Sequence, residues 1–155
     1  MPTAAHVTDQ FGQVAAELSG RHGCRCVVTW GPGEQEIAQE EAAASAGKAI
    51  VAPEFGLGPL IELIRLADCV IAADTGPLYI SALLQRPTVA LFGPKDPAVY
   101  APAGPAIEII RSAVECSPCS RRRCDHPRCM LQIETSQVIE AAERLLRPVD
   151  STEVL

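Results

Sequence analysis

The strongest constraint on this chain is an alternation. Short apolar runs that read as buried strands, Cys24–Trp30, Lys48–Ala52, Cys69–Ala73, Thr88–Phe92 and a possible fifth at Ile107–Ile110, are separated by segments with helical periodicity. The first helix is expected from an N-cap at Thr8 or Asp9, with Phe11, Val14, Ala15 and Leu18 on one face until Gly20. Others are expected from Glu34 to Ala46, Leu57 to Leu66, Pro77 to Leu84, and Thr135 to Leu146. Strand–helix–strand units of this kind close as right-handed crossovers. They imply an α/β fold, a Rossmann-like parallel sheet with helices on both faces.

In such sheets ligands bind beyond the carboxyl ends of the strands. Four turns rich in special residues stand at those ends: Gly31-Pro32-Gly33-Glu34, Pro53-Glu54-Phe55-Gly56, Asp74-Thr75-Gly76-Pro77 and Gly93-Pro94-Lys95-Asp96. In the third, Pro77 suits the first turn of a helix, where its missing N–H costs nothing, and Gly76 lets a ligand approach the backbone. Unpaired N–H groups and the positive end of the helix dipole suit an anion there, with the Thr75 hydroxyl as a further donor. A carboxylate repels phosphate, so Asp74 is expected to accept from ligand hydroxyls or from turn N–H groups. The competing reading is that Asp74 or Thr75 only caps the helix. Lys95 either neutralises phosphate from the next turn or is a solvated loop lysine.

The length, 155 residues with 48% hydrophobic content, fits one domain, placed at 1–148, with a frayed tail at 149–155. A net charge of −6 and only 4% aromatic residues argue against nucleic acid as a partner. No run approaches the roughly 18 apolar residues of a transmembrane segment, and no signal peptide is evident, so a cytoplasmic location is expected. Cys24, Cys26 and Cys69 read as core thiols. Cys116, Cys119, Cys124 and Cys129 form a cysteine-rich loop at 116–129 with Arg121, Arg122 and Arg123 among them. That loop is a candidate structural zinc site, against free thiols or disulfides formed after purification, and iron–sulfur is disfavoured. A dinucleotide-dependent oxidoreductase is excluded, because Gly31-Pro32-Gly33 lacks the third glycine of its fingerprint.

The stretch ADCVIAADTGPLYISALLQRPTVALFGPKDP resembles the signature of glycosyltransferase family 9, the group of the bacterial lipopolysaccharide heptosyltransferases. The resemblance extends to Trp30-Gly31 with an acidic residue after it, to CSPCSRRRCDHPRCM, and to the helix opening near Ile133-Glu134-Thr135. It implies the C-terminal, donor-binding half of a GT-B fold, without the N-terminal acceptor half. By that resemblance Asp74, Thr75, Gly76 and Pro77 meet the sugar and diphosphate of a nucleotide-sugar such as ADP-heptose. Glu34 would bind ribose hydroxyls, where the alternative is a first-turn carboxylate favouring the helix dipole. Phe55 and Leu57 would line the base pocket, where the alternative is core packing.

Family members usually carry His at the position of Tyr79, so that contact passes to a phenol or is lost. A Lys-x-Trp element of the family has no counterpart near Ala5 to Val7, where His6 is a weak substitute. The implied reaction is inverting glycosyl transfer in lipopolysaccharide core synthesis, with no cofactor required for transfer. The acceptor would be a lipid-linked saccharide bound by the missing N-terminal domain, and the full-length protein would sit peripherally at the inner membrane. No catalytic base is expected in this chain, which would bind donor and transfer nothing alone. The alternative is a non-catalytic nucleotide-binding or interaction module derived from the same family. Met1 leads almost directly into a helix that the family places mid-chain, which suggests a piece of a longer protein.

Overall fold

The computed structural model describes residues 2–119, 121 and 124–146, with side chains from Thr8 onward. Arg122, Arg123, His6 as a side chain, and the tail expected at 149–155 lie outside that description. The elements are α1 (Pro2–His22), β1 (Cys26–Val28), α2 (Gln35–Ala44), β2 (Ala49–Val51), α3 (Leu57–Leu66) and β3 (Val70–Ala73). They continue with α4 (Gly76–Leu83), β4 (Thr88–Phe92), α5 (Pro97–Tyr100), β5 (Ile107–Arg111), α6 (Arg128–Leu131) and α7 (Thr135–Leu146). Every strand pair is parallel, in two ladders, β1–β2 and β3–β4–β5.

The core is organised by β4, in which every residue is buried. Successive side chains of a strand point to opposite faces. Val89 and Leu91 accordingly pack with Val14 and Leu18 of α1 and with Val138, Ile139, Ala141 and Ala142 of α7. Ala90 and Phe92 pack on the other face with Ala72 and with Leu78 of α4. The unbroken apolar run Thr88–Phe92 is thus the sequence signature of a strand covered on both sides, as expected. At its start the buried hydroxyls of Thr88 and Ser81 bond to each other, and Thr88 Oγ1 donates to the Arg86 carbonyl at 2.8 Å.

The β1–β2 ladder departs from that pattern. Val27 and Ile50, which are register partners, are 40% and 62% exposed. Helices α1 and α2 cover one face, while α3, leaving β2, packs against α4 and leaves the other face open. Cys24, Cys26 and Cys69 are only partly buried, and burial still pushes the Cys69 thiol up to about 12.

Helix α1 begins at Pro2 rather than at a cap on Thr8 or Asp9, and Thr8 is buried within it. The reason is local: Pro2 is tolerated in a first turn, and Ala4 and Ala5 propagate helix well. Helix α2 begins one residue late, with Glu34 at its N-cap. Two short helices went unforeseen. One is α5, started by Pro97 and capped by the Asp96 carboxylate, which accepts from the Ala98 N–H at 3.0 Å; the other is α6 in the cysteine-rich loop. Helices α1 and α2 cross tightly at Gly12, where a Cβ would meet the Ala44 side chain and lie 2.7 Å from the Glu41 carbonyl oxygen.

Two outcomes follow. Gly12→Ala forces backbone apart at that crossing and should cost about 1–3 kcal/mol, measured by chemical denaturation; an unchanged midpoint would show that the helices do not meet as described. Burial, reinforced by the nearby Glu34 charge, raises the Glu41 carboxyl from its ordinary 4.5 to about 7. The native state therefore holds a proton that the unfolded chain releases, so the contribution of Glu41 to stability is fully present below about pH 4.5 and is lost as pH rises towards 7. Glu41→Gln should flatten the dependence of the melting temperature on pH in that window.

Candidate functional site

The turn between β3 and α4 leaves the start of its helix uncapped by any side chain. Thr75 is the N-cap, in extended conformation with φ −142° and ψ 172°, yet its side chain makes no capping hydrogen bond. Its hydroxyl donates instead to the Ala73 carbonyl at 3.3 Å, and its N–H to the same oxygen at 2.7 Å. Pro77 has no N–H to offer, and the Leu78 N–H donates to the Thr75 carbonyl at 3.1 Å. The Gly76 N–H has no partner among the described residues. Thr75 and Gly76 are exposed, and a Cβ on Gly76 would meet nothing within 4 Å. Neither Asp74 nor Thr75 caps the helix through its side chain, so the positive end of α4 faces solvent without a bound side-chain acceptor.

Asp74 is spoken for by a side chain that the sequence marked only as a departure. The Tyr79 hydroxyl, one turn into α4, lies 2.6 Å from Asp74 Oδ1 and 3.0 Å from the Tyr100 carbonyl oxygen. This hydrogen bond to the carboxylate is the main reason the phenol is pushed up to about 12, with desolvation second. Tyr100 closes α5, and the exposed Lys95 places its ammonium 4.8 Å from the centre of the Tyr100 ring. The third and fourth turns are therefore joined through Asp74, Tyr79, Tyr100 and Lys95. Tyr100 went unnoticed because it sits in a Pro-rich stretch with no periodicity; only its place after the fourth strand hinted at a role.

The first two turns form a second group. Glu34 Oε2 accepts from the Gly31 N–H at 2.9 Å, and the Glu34 N–H donates to the Gly31 carbonyl at 3.0 Å, which closes the Gly-Pro-Gly turn on itself. The Trp30 indole N–H donates to the Ala52 carbonyl at 2.8 Å, locking the first turn to the second. Phe55 is half-buried, and Leu57, the first residue of α3, is 64% exposed and so is not a core residue. No hydrogen bond among the described residues joins the Glu34 turn to the Asp74 turn. Parallel strand pairing nevertheless sets both at carboxyl ends of strands. A groove of about 410 Å³ between α1 and α7, lined by Gln13, Glu17, Arg21, Thr135, Ser136 and Ile139 among others, contains none of these residues.

The cysteine-rich loop braces the fourth turn. The Ser117 hydroxyl donates to the Gly93 carbonyl and the Cys119 N–H to the Pro94 carbonyl, each at 2.7 Å. From the other side, the Ser112 hydroxyl donates to the Cys129 carbonyl at 2.7 Å. A Cβ on Gly93 would lie 2.5 Å from Met130 Sδ and 3.3 Å from Cys129 Sγ, so only glycine admits α6 this closely. Cys129 is buried, Cys119 half-buried, and Cys116 and Cys124 exposed. Among the described residues no three His, Cys, Asp or Glu side chains are grouped to hold a metal ion. Cys129 is drawn under Gly93, and burial raises its thiol pKa.

No helix among the described residues is long and apolar enough to cross a membrane. The family model for glycosyltransferase family 9 (heptosyltransferase) matches residues 6–129. Lipopolysaccharide heptosyltransferase 1 of Pseudomonas aeruginosa is 26% identical over 121 residues, which cover 78% of this chain and 34% of that protein. Lipooligosaccharide heptosyltransferase 2 of Campylobacter jejuni is 32% identical over 91 residues, covering 57% of this chain and 28% of that protein. The chain thus spans about a third of the length of the curated relatives it matches.

Among solved structures, ADP-heptose lps heptosyltransferase II of E. coli superposes with a TM-score of 0.76 at 23% identity, covering 90% of this chain and 41% of that one. A family 9 glycosyl transferase from Veillonella parvula gives 0.74 at 28% identity, covering 90% and 41%. E. coli heptosyltransferase WaaC with ADP gives 0.72 at 23% identity, covering 89% and 39%. The match of the family model over most of its length, on a parallel α/β scaffold with an open helix start beyond β3, places this chain in glycosyltransferase family 9, the heptosyltransferase family.

Proposed function

We propose that this chain is the donor-binding half of an inverting glycosyltransferase of bacterial lipopolysaccharide core synthesis, and that it takes a nucleotide-sugar of the ADP-heptose kind. The observation that carries the reading is the open start of α4: an unpartnered Gly76 N–H at the positive end of a helix, at an exposed residue on which a Cβ would meet nothing within 4 Å. A diphosphate fits that position by charge and by hydrogen bonding. The family membership and the solved relatives in complex with ADP and with ADP-2-deoxy-2-fluoro heptose support the choice of ligand class.

On this reading an acceptor hydroxyl displaces the nucleoside diphosphate at the anomeric carbon. Charge grows on the leaving diphosphate, and the unpartnered Gly76 N–H stabilises it, with the Thr75 hydroxyl turning from the Ala73 carbonyl to join it, a task other glycosyltransferases give to a metal ion. Lys95, held over the Tyr100 ring beside the turn, supplies a nearby positive charge. Glu34 would accept from ribose hydroxyls with whatever capacity its bond to Gly31 leaves. Phe55 and the exposed Leu57 would offer apolar surface to the base. The general base and the site for a lipid-linked acceptor are proposed to lie outside this chain, which spans about a third of the length of the curated relatives it matches. The full-length enzyme is proposed to work in the cytoplasm at the inner membrane, where such an acceptor is presented.

Gly76→Ala separates ligand binding from folding, because the new methyl meets no protein atom within 4 Å but intrudes where the diphosphate would lie. Calorimetry with ADP, UDP and GDP should show that the chain binds a nucleoside diphosphate. The substitution should weaken that binding tenfold or more while changing stability by less than about 0.5 kcal/mol. Binding of none of the three would favour an interaction module that kept only the fold. Measurable sugar transfer by this chain alone would contradict the division of labour proposed here.

A further inference from the structure

We infer that Tyr79 is a positioning residue for the donor's sugar: its hydroxyl fixes the Asp74 carboxylate against the end of α5 and so sets which ligand hydroxyls that carboxylate accepts. The inference rests on the donor-binding reading above.

A phenol carries one proton, and two acceptors face it, Asp74 Oδ1 at 2.6 Å and the Tyr100 carbonyl oxygen at 3.0 Å. The shorter, charge-assisted contact to the carboxylate takes the proton. The phenol stays protonated through the neutral range, since the same hydrogen bond lifts it to about 12. Tyr100 is itself anchored, with its N–H donating to the Asp96 carbonyl at 3.0 Å, and Asp96 Oδ1 lies 3.8 Å from the Arg111 guanidinium at the end of β5. Tyr79 therefore ties the acidic residue of the third turn to a loop held by its neighbours on the sheet.

A carboxylate two residues before Gly76 repels a diphosphate bound at the helix start whichever way it turns, so the latch serves to hold it towards the sugar. Held by Tyr79, it has one oxygen committed and its plane fixed, and its remaining acceptor capacity can be met only by groups that donate. Diphosphate oxygens do not donate at neutral pH, whereas sugar hydroxyls do. The latch thus assigns Asp74 to the sugar and leaves the diphosphate to Gly76 and Thr75.

The test is calorimetry on the whole 155-residue chain with ADP and with ADP-heptose, for the parent, Tyr79→Phe and Tyr79→His. Removing the hydroxyl should leave ADP affinity within about twofold and weaken ADP-heptose about tenfold, the size of a lost hydrogen bond to a charged group. Tyr79→His, whose ring N–H can donate to the same carboxylate, should recover part of the ADP-heptose affinity. Loss of both ligands in equal proportion would make Tyr79 a scaffold residue and overturn the inference, as would no change for either. A parent chain that binds ADP but gains nothing from the sugar would overturn it as well, leaving the diphosphate site intact. A parent that binds neither ligand would remove the donor-binding reading itself.

Discussion

The burial of β4 on both faces is the constraint from which the rest of the structure follows. Five residues with no exposed side chain must find partners above and below, and they do so by drawing α1 and α7 onto one face and α4 onto the other. Because β3 and β5 pair with β4 in parallel, the chain must return over a helix each time, and its turns collect at one end of the strands. The Asp74 turn ends β3 and the Gly93 turn ends β4, so the packing that stabilises the core also sets the candidate site side by side. Hydrophobic burial fixes the scaffold, while hydrogen bonds do the finer placing.

That finer placing shows in how the polar groups are spent. Asp96 caps its own helix, and Glu34 closes its own turn. At α4, by contrast, the residues able to cap turn elsewhere, Thr75 back to Ala73 and Asp74 to Tyr79. A helix start left without its side-chain acceptor forgoes about 1 kcal/mol of stability. Such an omission beside a glycine with open space in front of it is what an anion site requires, since a bound carboxylate there would compete with the ligand. The cysteine-rich loop contributes from behind, bracing Gly93 and Pro94 through Ser117, Cys119 and Cys129.

Much of this was legible in the sequence, and the parts that were not have identifiable causes. The alternation of apolar runs and helical segments gave the fold class, and the Thr88–Phe92 run gave the buried central strand, because both are governed by local period and burial. The start of α1 was missed because Thr8 looks like a cap, whereas the alanines before it carry the helix back to Pro2. The open face at Val27 and Ile50 was missed because an apolar strand reads as buried whether or not a helix arrives to cover it. At the candidate site, turn chemistry and family resemblance singled out the third turn, but neither pointed to the partner of Asp74. Tyr79 meets Asp74 across five residues of sequence, and the Tyr100 carbonyl meets Tyr79 across twenty-one, contacts that only folding makes. The pull of Cys129 under Gly93 is likewise a tertiary effect that cysteine spacing cannot reveal.

The central claim is that the start of α4 is where a nucleotide's diphosphate binds. Two-dimensional NMR of the isotopically labelled chain during titration with ADP tests it most directly, because each backbone amide reports its own surroundings. The account predicts that the amides of Thr75, Gly76 and Leu78 shift first and furthest, with Gly31 and Glu34 following as the nucleoside end is bound. Shifts confined to the groove of Gln13, Arg21 and Ser136 between α1 and α7, with the Gly76 amide unmoved at saturation, would contradict it.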